Sequence, residues 1–567
     1  MSARTETAVR FRVRDRVLRP EILLLAAALA FTGVLTLVPL GYLLWQTFVE
    51  DGRLTLDVVR EAYGAFGLGE LLWNSLRFAA GSTAFAVVAG TALAYVVVRT
   101  DVPLRRLMFV GVLVPLLVPG VLYTIGWIFL AAPRSGALNQ VLGRGSLDVF
   151  SLSGMVVVEG LHLVPIAFLF MVAAFRSLDP ALEESALASG AGAWTVFRRI
   201  TLPLARPALS ATILILAVRA LESFEVPALL GFPARVWVFT SKIWQALGEY
   251  PPAFGTAGAY ALPLVVLTCV GLVLHRLFSG RSRSYETITS RGVTPRVVKL
   301  GRWRWPVAAL LAGYVVVSAL LPILMLVYVS TQRVYTGVST AGFSHLTLGA
   351  YRHLFDDPLV RRAAWNSLLL GVGAATVVMC TMTVVAWVVV RTKTPGRGLA
   401  DGLAFLPIAI PGIVIGLALL IVFLRVPIPV YGTLWILLIA YVTRFMPYGI
   451  RTSSISMGQI ARDLEESAHV SGAGWWQTFR RVFMPLLVPG FVAGWIYVLL
   501  VSLRELSSSL ILYSPGREVL PVVIWNRYQD GEFGELAALG VLMVLATLVL
   551  AAVSYWIGGR AAAAARR

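Results

Sequence analysis

Two polar cassettes hold most of the side chains in this chain that are spaced to do chemistry. "LEESALASGAGAWTVFRRITLPL" runs from Leu182 to Leu204, and "LEESAHVSGAGWWQTFRRVFMPL" runs from Leu464 to Leu486. The first supplies Glu183, Glu184, Ala186, Gly190, Gly192, Phe197, Arg198 and Pro203; the second supplies Glu465, Glu466, Ala468, Gly472, Gly474, Phe479, Arg480 and Pro485 at the same spacing. Acids beside a helix start, a glycine that frees a turn and a basic aromatic face suit recognition of another surface. Asp179 and Pro180 predict an N-cap and first turn, with Gly190 and Gly192 opening the chain to a second segment that Pro203 halts. Arg462 replaces Pro180 in the second copy, so its start is capped differently. A basic amphipathic loop resting on lipid headgroups explains the arginines and aromatics. It does not explain why 15 of 23 positions are identical, so docking to a symmetric partner is the stronger reading.

The other candidates are acids and prolines inside apolar stretches, where an ionisable side chain marks function by default. Glu222, Glu225 and Glu505 follow the cassettes, and at 1.5 Å per residue Glu222 and Glu505 stand roughly 28 and 30 Å beyond the cassette prolines. Either they line an outer gate, or they are solvated at the interface with Arg219 and Arg504 as partners. "PLLVPG" (Pro115, Pro119) and "PIAIPG" (Pro407, Pro411) break the hydrogen-bond ladder in mid-span, as a bend in a gate or as kinked packing. Glu159 and His162 share one stretch without metal-site spacing, so no metal is expected. Acids this scattered do not form the single-depth constellation of a membrane enzyme.

The elements that must position these residues are membrane spans. The 567 residues are 58% hydrophobic and 14% charged, too apolar for a soluble globule. Apolar segments fall near 21–47, 75–98, 106–131, 152–175, 205–229 and 258–278, then near 306–329, 366–390, 399–424, 428–449, 487–512 and 535–558. An all-α, polytopic membrane protein of about twelve helices is predicted. The net charge of +19 sits in alternate loops, which assigns it to membrane orientation instead of nucleic acid and places both termini and the central linker in the cytoplasm. Cys269 and Cys380 lie in apolar spans as packing residues. The first segment is longer than a signal-peptide core and is expected to be retained.

The spans are a duplication. "WNSL" at Trp73 returns at Trp365 and "VVVRT" at Val96 returns at Val388, both shifted by 292, while the cassettes are shifted by 282. A ten-residue difference in the loop "APRSGALNQVLGRGS" reconciles the two offsets. Residues 1–278 form one half with a cytoplasmic tail and a cassette loop at 179–203. Residues 279–304 read as a flexible basic strap. Residues 305–567 form the second half, with its loop at 461–485. Six spans per half make the halves parallel repeats about an axis along the membrane normal, with a transport path near their interface.

Glu184-Ser185-Ala186, Gly190, Phe197, Ile200 and Leu202-Pro203 resemble the EAA motif of permease subunits in binding-protein-dependent ABC importers, E-A-A-x3-G-x6-F-x2-I-x-L-P. The second copy follows it with Glu466-Ser467-Ala468, Gly472, Phe479, Val482 and Met484-Pro485, softening two apolar positions. With the repeat, the likeness covers nearly the whole chain, in the manner of the fused two-half permeases for ferric iron, thiamine and polyamines. It implies a type I importer permease fold in the bacterial cytoplasmic (inner) membrane, with each cassette forming a coupling helix for one of two ATPase subunits. It also implies an extracytoplasmic substrate-binding protein as partner, besides the membrane lipid. The chain lacks the phosphate loop G-x4-G-K-[ST], so ATP and Mg belong to the partner ATPase and this chain binds no cofactor. "LRELSSSLIL" and the segment after it look most like permeases for iron, with thiamine, polyamine and phosphonate as alternatives. An ion-driven secondary transporter would have no reason to keep two docking cassettes.

Overall fold

In the computed structural model, residues 20–50, 52–282, 297–335, 337–338, 340–344 and 346–564 are described. Helix dominates because apolar runs in lipid must satisfy their backbone internally. The first six spans are Pro20–Phe48, Leu68–Arg99, a broken third at 105–131, Leu152–Ser177, Ala193–Glu222 and Phe254–Ser282. The second six are Gly301–Ser330, Pro358–Arg391, a broken ninth at 397–425, Leu434–Gly458, Arg480–Ser502 and Phe533–Ala564. Among the described residues, nine helices are long and apolar enough to cross a membrane, and the two broken pairs raise this to eleven. The tenth span, a 25-residue helix, is not among them; it carries Arg444 and Arg451.

Local chemistry repeats where the sequence repeats. Ser151 caps the fourth span by accepting from the Gly154 N–H at 3.0 Å, and Thr433 caps the tenth by accepting from Trp435 at 3.2 Å. Close helix crossings rest on glycine. A Cβ at Gly90 in the second span would stand 2.5 Å from that of Ala167 in the fourth, and one at Gly449 in the tenth would stand 2.6 Å from Val378 in the eighth.

The third and ninth spans are broken, not kinked. Their parts meet at 102° and 107°. Pro115 and Pro407 each open a short 3-10 turn, and the residues before the second prolines, Val118 and Ile410, are driven into extended backbone. Gly120 and Gly412 then begin new helices. A second correction concerns Pro203, which does not halt the cassette's second segment. Helix runs unbroken from Ala193 to Glu222, because a π-turn at Phe197–Thr201 precedes the proline. A proline ring crowds the carbonyl four residues back, and the wider turn moves that carbonyl, here of Arg199, aside. Phe479–Phe483 does the same before Pro485, and Val316–Leu320 before Pro322.

The chain forms two compact units, one of Met1–Leu54, Pro358–Val523 and Ala546–Arg567, the other of Thr55–Asp357 and Ile524–Leu545. Each takes the first span of the opposite sequence half. In one, Gly33 faces Leu403 of the ninth span. In the other, Tyr123 of the third span donates to the Ser318 carbonyl of the seventh at 2.9 Å. Much of the linker, 283–296, lies outside the described residues, as does the basic tail 1–19. The end of the linker is not a free strap. Val298 forms a parallel bridge with Thr100, and Leu300 donates to Asp101 Oδ1 at 2.7 Å.

Candidate coupling loops and span breaks

The first cassette begins with helix Pro180–Ala188, where Asp179 accepts from the Ala181 N–H at 2.9 Å. It ends in a Schellman turn: Ala191 N–H reaches the Ala186 carbonyl at 3.0 Å and Gly190 N–H reaches that of Leu187 at 2.8 Å. That turn requires the left-handed backbone of Gly190, φ +85°. The second copy forms helix Arg462–Val470 with Gly472 at φ +81°, and Ala473 reaches the Ala468 carbonyl at 3.0 Å. Gly192, at φ −70° and ψ 156°, caps the next segment in a conformation open to any residue. No neighbour lies within 4 Å of a Cβ added at Gly192 or Gly474, so local geometry gives no reason for glycine at either.

The side chains of the first cassette divide. Glu184, Arg198 and Trp194 are exposed and Ala186 is half-buried. Phe197 stacks on Trp194 at 5.5 Å between centroids and meets Tyr95 edge-on at 4.7 Å. Glu183 turns inward. Its Oε2 pairs with Arg99 Nη1 at 3.2 Å, and its Oε1 accepts from Thr201 at 2.7 Å. In the second cassette Arg480 is exposed, while the side chains of Glu465, Glu466 and Phe479 lie outside the described residues. Pro203 and Pro485 each sit in the first turn of the helix that continues the cassette.

Arg99 was not among the residues singled out in the sequence. Its signal was the repeated "VVVRT", read there only as a repeat marker. The matching Arg391 donates to the Met457 and Ile460 carbonyls, both at 2.6 Å, and lies over the Phe483 ring at 5.0 Å. Phe483 stands where the first half has Thr201.

A second pair of polar groups gathers at the broken spans, with Pro115, Pro119, Pro407 and Pro411 all buried. In the N-terminal half, the Glu225 carboxyl carbon and His162 Cε1 would each lie 3.5 Å from a Cβ at Gly120. Glu159, 5% exposed, accepts from Ser223 Oγ at 2.9 Å. His162 stacks on Tyr123 at 4.9 Å. Glu222 is buried, with Arg219 Nη1 at 3.9 Å. In the C-terminal half, the position of His162 is taken by Arg444, whose Nε pairs with Glu505 Oε2 at 2.8 Å. Glu505 Oε1 also accepts from the Ser508 N–H and Oγ, both at 3.0 Å. The partner expected for Glu505 was Arg504, its neighbour in sequence. The helix ends at Ser502, and the chain beyond it turns the carboxylate toward the tenth span instead. Any Cβ at Gly412 would overlap the Arg444 guanidinium, so the glycine of P-x3-P-G clears room for that cation. Among the described residues, no group of three or more His, Cys, Asp or Glu is placed to hold a metal ion.

Residues 84–284 and 382–567 each match the family described as "binding-protein-dependent transport system inner membrane component". Each match contains one cassette and one of the fourth- or tenth-span helices just described. Among curated relatives, the ferric transport system permease protein FbpB of Actinobacillus pleuropneumoniae is 25% identical over 526 residues, 90% of this chain and 74% of the relative. The Fe(3+)-transport system permease protein FbpB 2 of Haemophilus influenzae is 26% identical, covering 84% of this chain and 88% of the relative. A putative 2-aminoethylphosphonate transport system permease protein, PhnV of Salmonella paratyphi A, is 30% identical over 240 residues, 41% of this chain and 87% of the relative.

Proposed function

The chain belongs to the binding-protein-dependent transport system inner membrane components, and from that membership we propose that it is the fused permease subunit of an ATP-driven importer of ferric iron. Two cassettes built on the same glycine turn, one in each family match, carry this reading. Each presents a short helix with exposed arginines behind it, and together they would engage two ATPase subunits. Closure of those subunits would drive the cassettes and rock the permease between inward- and outward-facing states. A binding protein outside the membrane would deliver the cargo. The iron assignment is supported by relatives named for ferric transport that span most of the chain.

In this reading the Glu225 carboxylate beside the Gly120 break draws the passing cation along the path. The equivalent place at Gly412 holds the guanidinium of Arg444, which repels a cation, so the path is asymmetric. The phosphonate relatives favour a second reading, because an anionic cargo would suit Arg444 instead. Reconstitution with a cognate ATPase and binding protein separates them. We expect two ATPases per permease and uptake of ferric iron, with hydrolysis stimulated by the iron-loaded binding protein. Stimulation by aminoethylphosphonate alone would establish the second reading, and the absence of an ATPase partner would remove both.

The cassettes, the linker and both termini are assigned to the cytoplasm from the alternating charge. Cysteines at Ala186 and Ala468 should then react with an impermeant thiol reagent only in inverted vesicles. One at Gly64, exposed on the helix Asp57–Phe66, should react only in intact cells. Labelling of the two cassettes from opposite faces would reject this topology.

A further inference from the structure

Arg99 stands where the second span, the first cassette helix, the fifth-span helix and the end of the linker meet. It is the last residue of the second span, 1% exposed, and its side chain is an ion-pair partner of Glu183 on the cassette helix. Through Glu183 it is joined to Thr201 at the start of the fifth span. Its backbone carbonyl accepts from Val298 N–H at 2.7 Å, and Asp101 N–H returns a bond to the Val298 carbonyl at 3.2 Å. Thus the end of the linker is stitched to the same residue that grips the cassette. The matching Arg391 donates to the carbonyls at the end of the tenth span and lies over the Phe483 ring, and the side chain of Glu465, the counterpart of Glu183, lies outside the described residues.

A short helix held only by its two flanking turns would swing when pushed. A buried ion pair with fixed geometry passes the push on, because neither charge can leave its partner without being stranded out of water. We propose that Arg99 is a positioning residue for transport: it makes the N-terminal cassette helix, the second span and the linker end move as one body. The inference rests on the ATP-driven permease reading. The joint passes the displacement of the N-terminal cassette directly into the end of the linker at Val298.

The test uses the full chain with its ATPase and binding protein, and a measurement that needs neither. Spin labels at Ser189 and Ala92, both exposed, report the distance from cassette helix to second span. We expect one narrow distribution in the unsubstituted chain, a broadened one in Arg99→Leu, and a narrow one again in Arg99→Lys. In the assembled complex, Arg99→Leu should cut uptake at least tenfold while ATP hydrolysis loses its dependence on the loaded binding protein. Val298→Pro, which deletes the N–H donated to Arg99, should produce the same signature in milder form without touching the ion pair. An unchanged distance distribution in Arg99→Leu overturns the proposal. So does a proportional fall of uptake and stimulated hydrolysis, since that reports only lost complex. If the unsubstituted complex itself shows no stimulated hydrolysis, the transport reading fails and the distance measurement still decides the joint.

Discussion

Arg444→Met will leave Glu505 buried without a cation, and we expect this to destabilise the protein by about 3–5 kcal/mol, the usual cost of breaking a buried pair. The side chains are 16% and 7% exposed and in contact at 2.8 Å, so little solvent screening reduces the figure. The two bonds from Ser508 stay in place, yet neutral donors do not replace a full charge. The Arg444→Met, Glu505→Met double variant removes both ions and should recover most of the loss, since an apolar pair of similar volume often matches a buried salt bridge. Thermal unfolding of purified protein in detergent, followed for both singles and the double, measures the coupling directly. A single variant that melts with the parent would show that the two groups do not depend on each other. Transport by the recovered double variant then asks what the cation at Gly412 does beyond holding the fold.

Gly190→Val is expected to abolish coupled transport while leaving the protein inserted and assembled. At φ +85° any L-residue strains the backbone by roughly 1–2 kcal/mol, and a β-branched one by more. No neighbour lies within 4 Å of the added Cβ, so the damage is confined to the turn and does not reach the span core. The Schellman bonds from Gly190 and Ala191 are lost with that conformation, and the cassette helix is presented at the wrong angle. Gly472→Val should act alike, and Asn at either site should be milder because it tolerates the left-handed region. Gly192→Val is the control, since φ −70° there suits valine. Uptake and ATP hydrolysis by the reconstituted complex are the readout. Equal uncoupling by Gly192→Val would mean that contact with the ATPase surface, not the turn, sets the requirement.

What the sequence determined by itself was everything set by neighbours along the chain. The apolar runs named the spans, with ends displaced by ten residues or more at the fifth and eleventh, because crossing a membrane requires about 20 of them in a row. Asp179-Pro180 and Gly190 predicted a capped helix and its turn, since caps and turns are satisfied within a few residues. The repeats exposed the duplication, and P-x3-P-G marked where helical bonding must fail, though not that the failure would open to more than 100°. Pro203 was misjudged because a π-turn absorbs it, and nothing in the residue types alone announces that wider winding.

Only the tertiary structure decided which charges meet. Arg99 finds Glu183 84 residues away, and Glu505 finds Arg444 in another span when its sequence neighbour Arg504 offered a shorter route. The packing of each first span on the opposite sequence half was equally out of reach. The physical reason is common to all of these. An apolar helix surface carries no address, and a charge inside it takes the partner that packing brings within hydrogen-bond distance, a choice made by where the helices cross and not by the order of residues along any one of them.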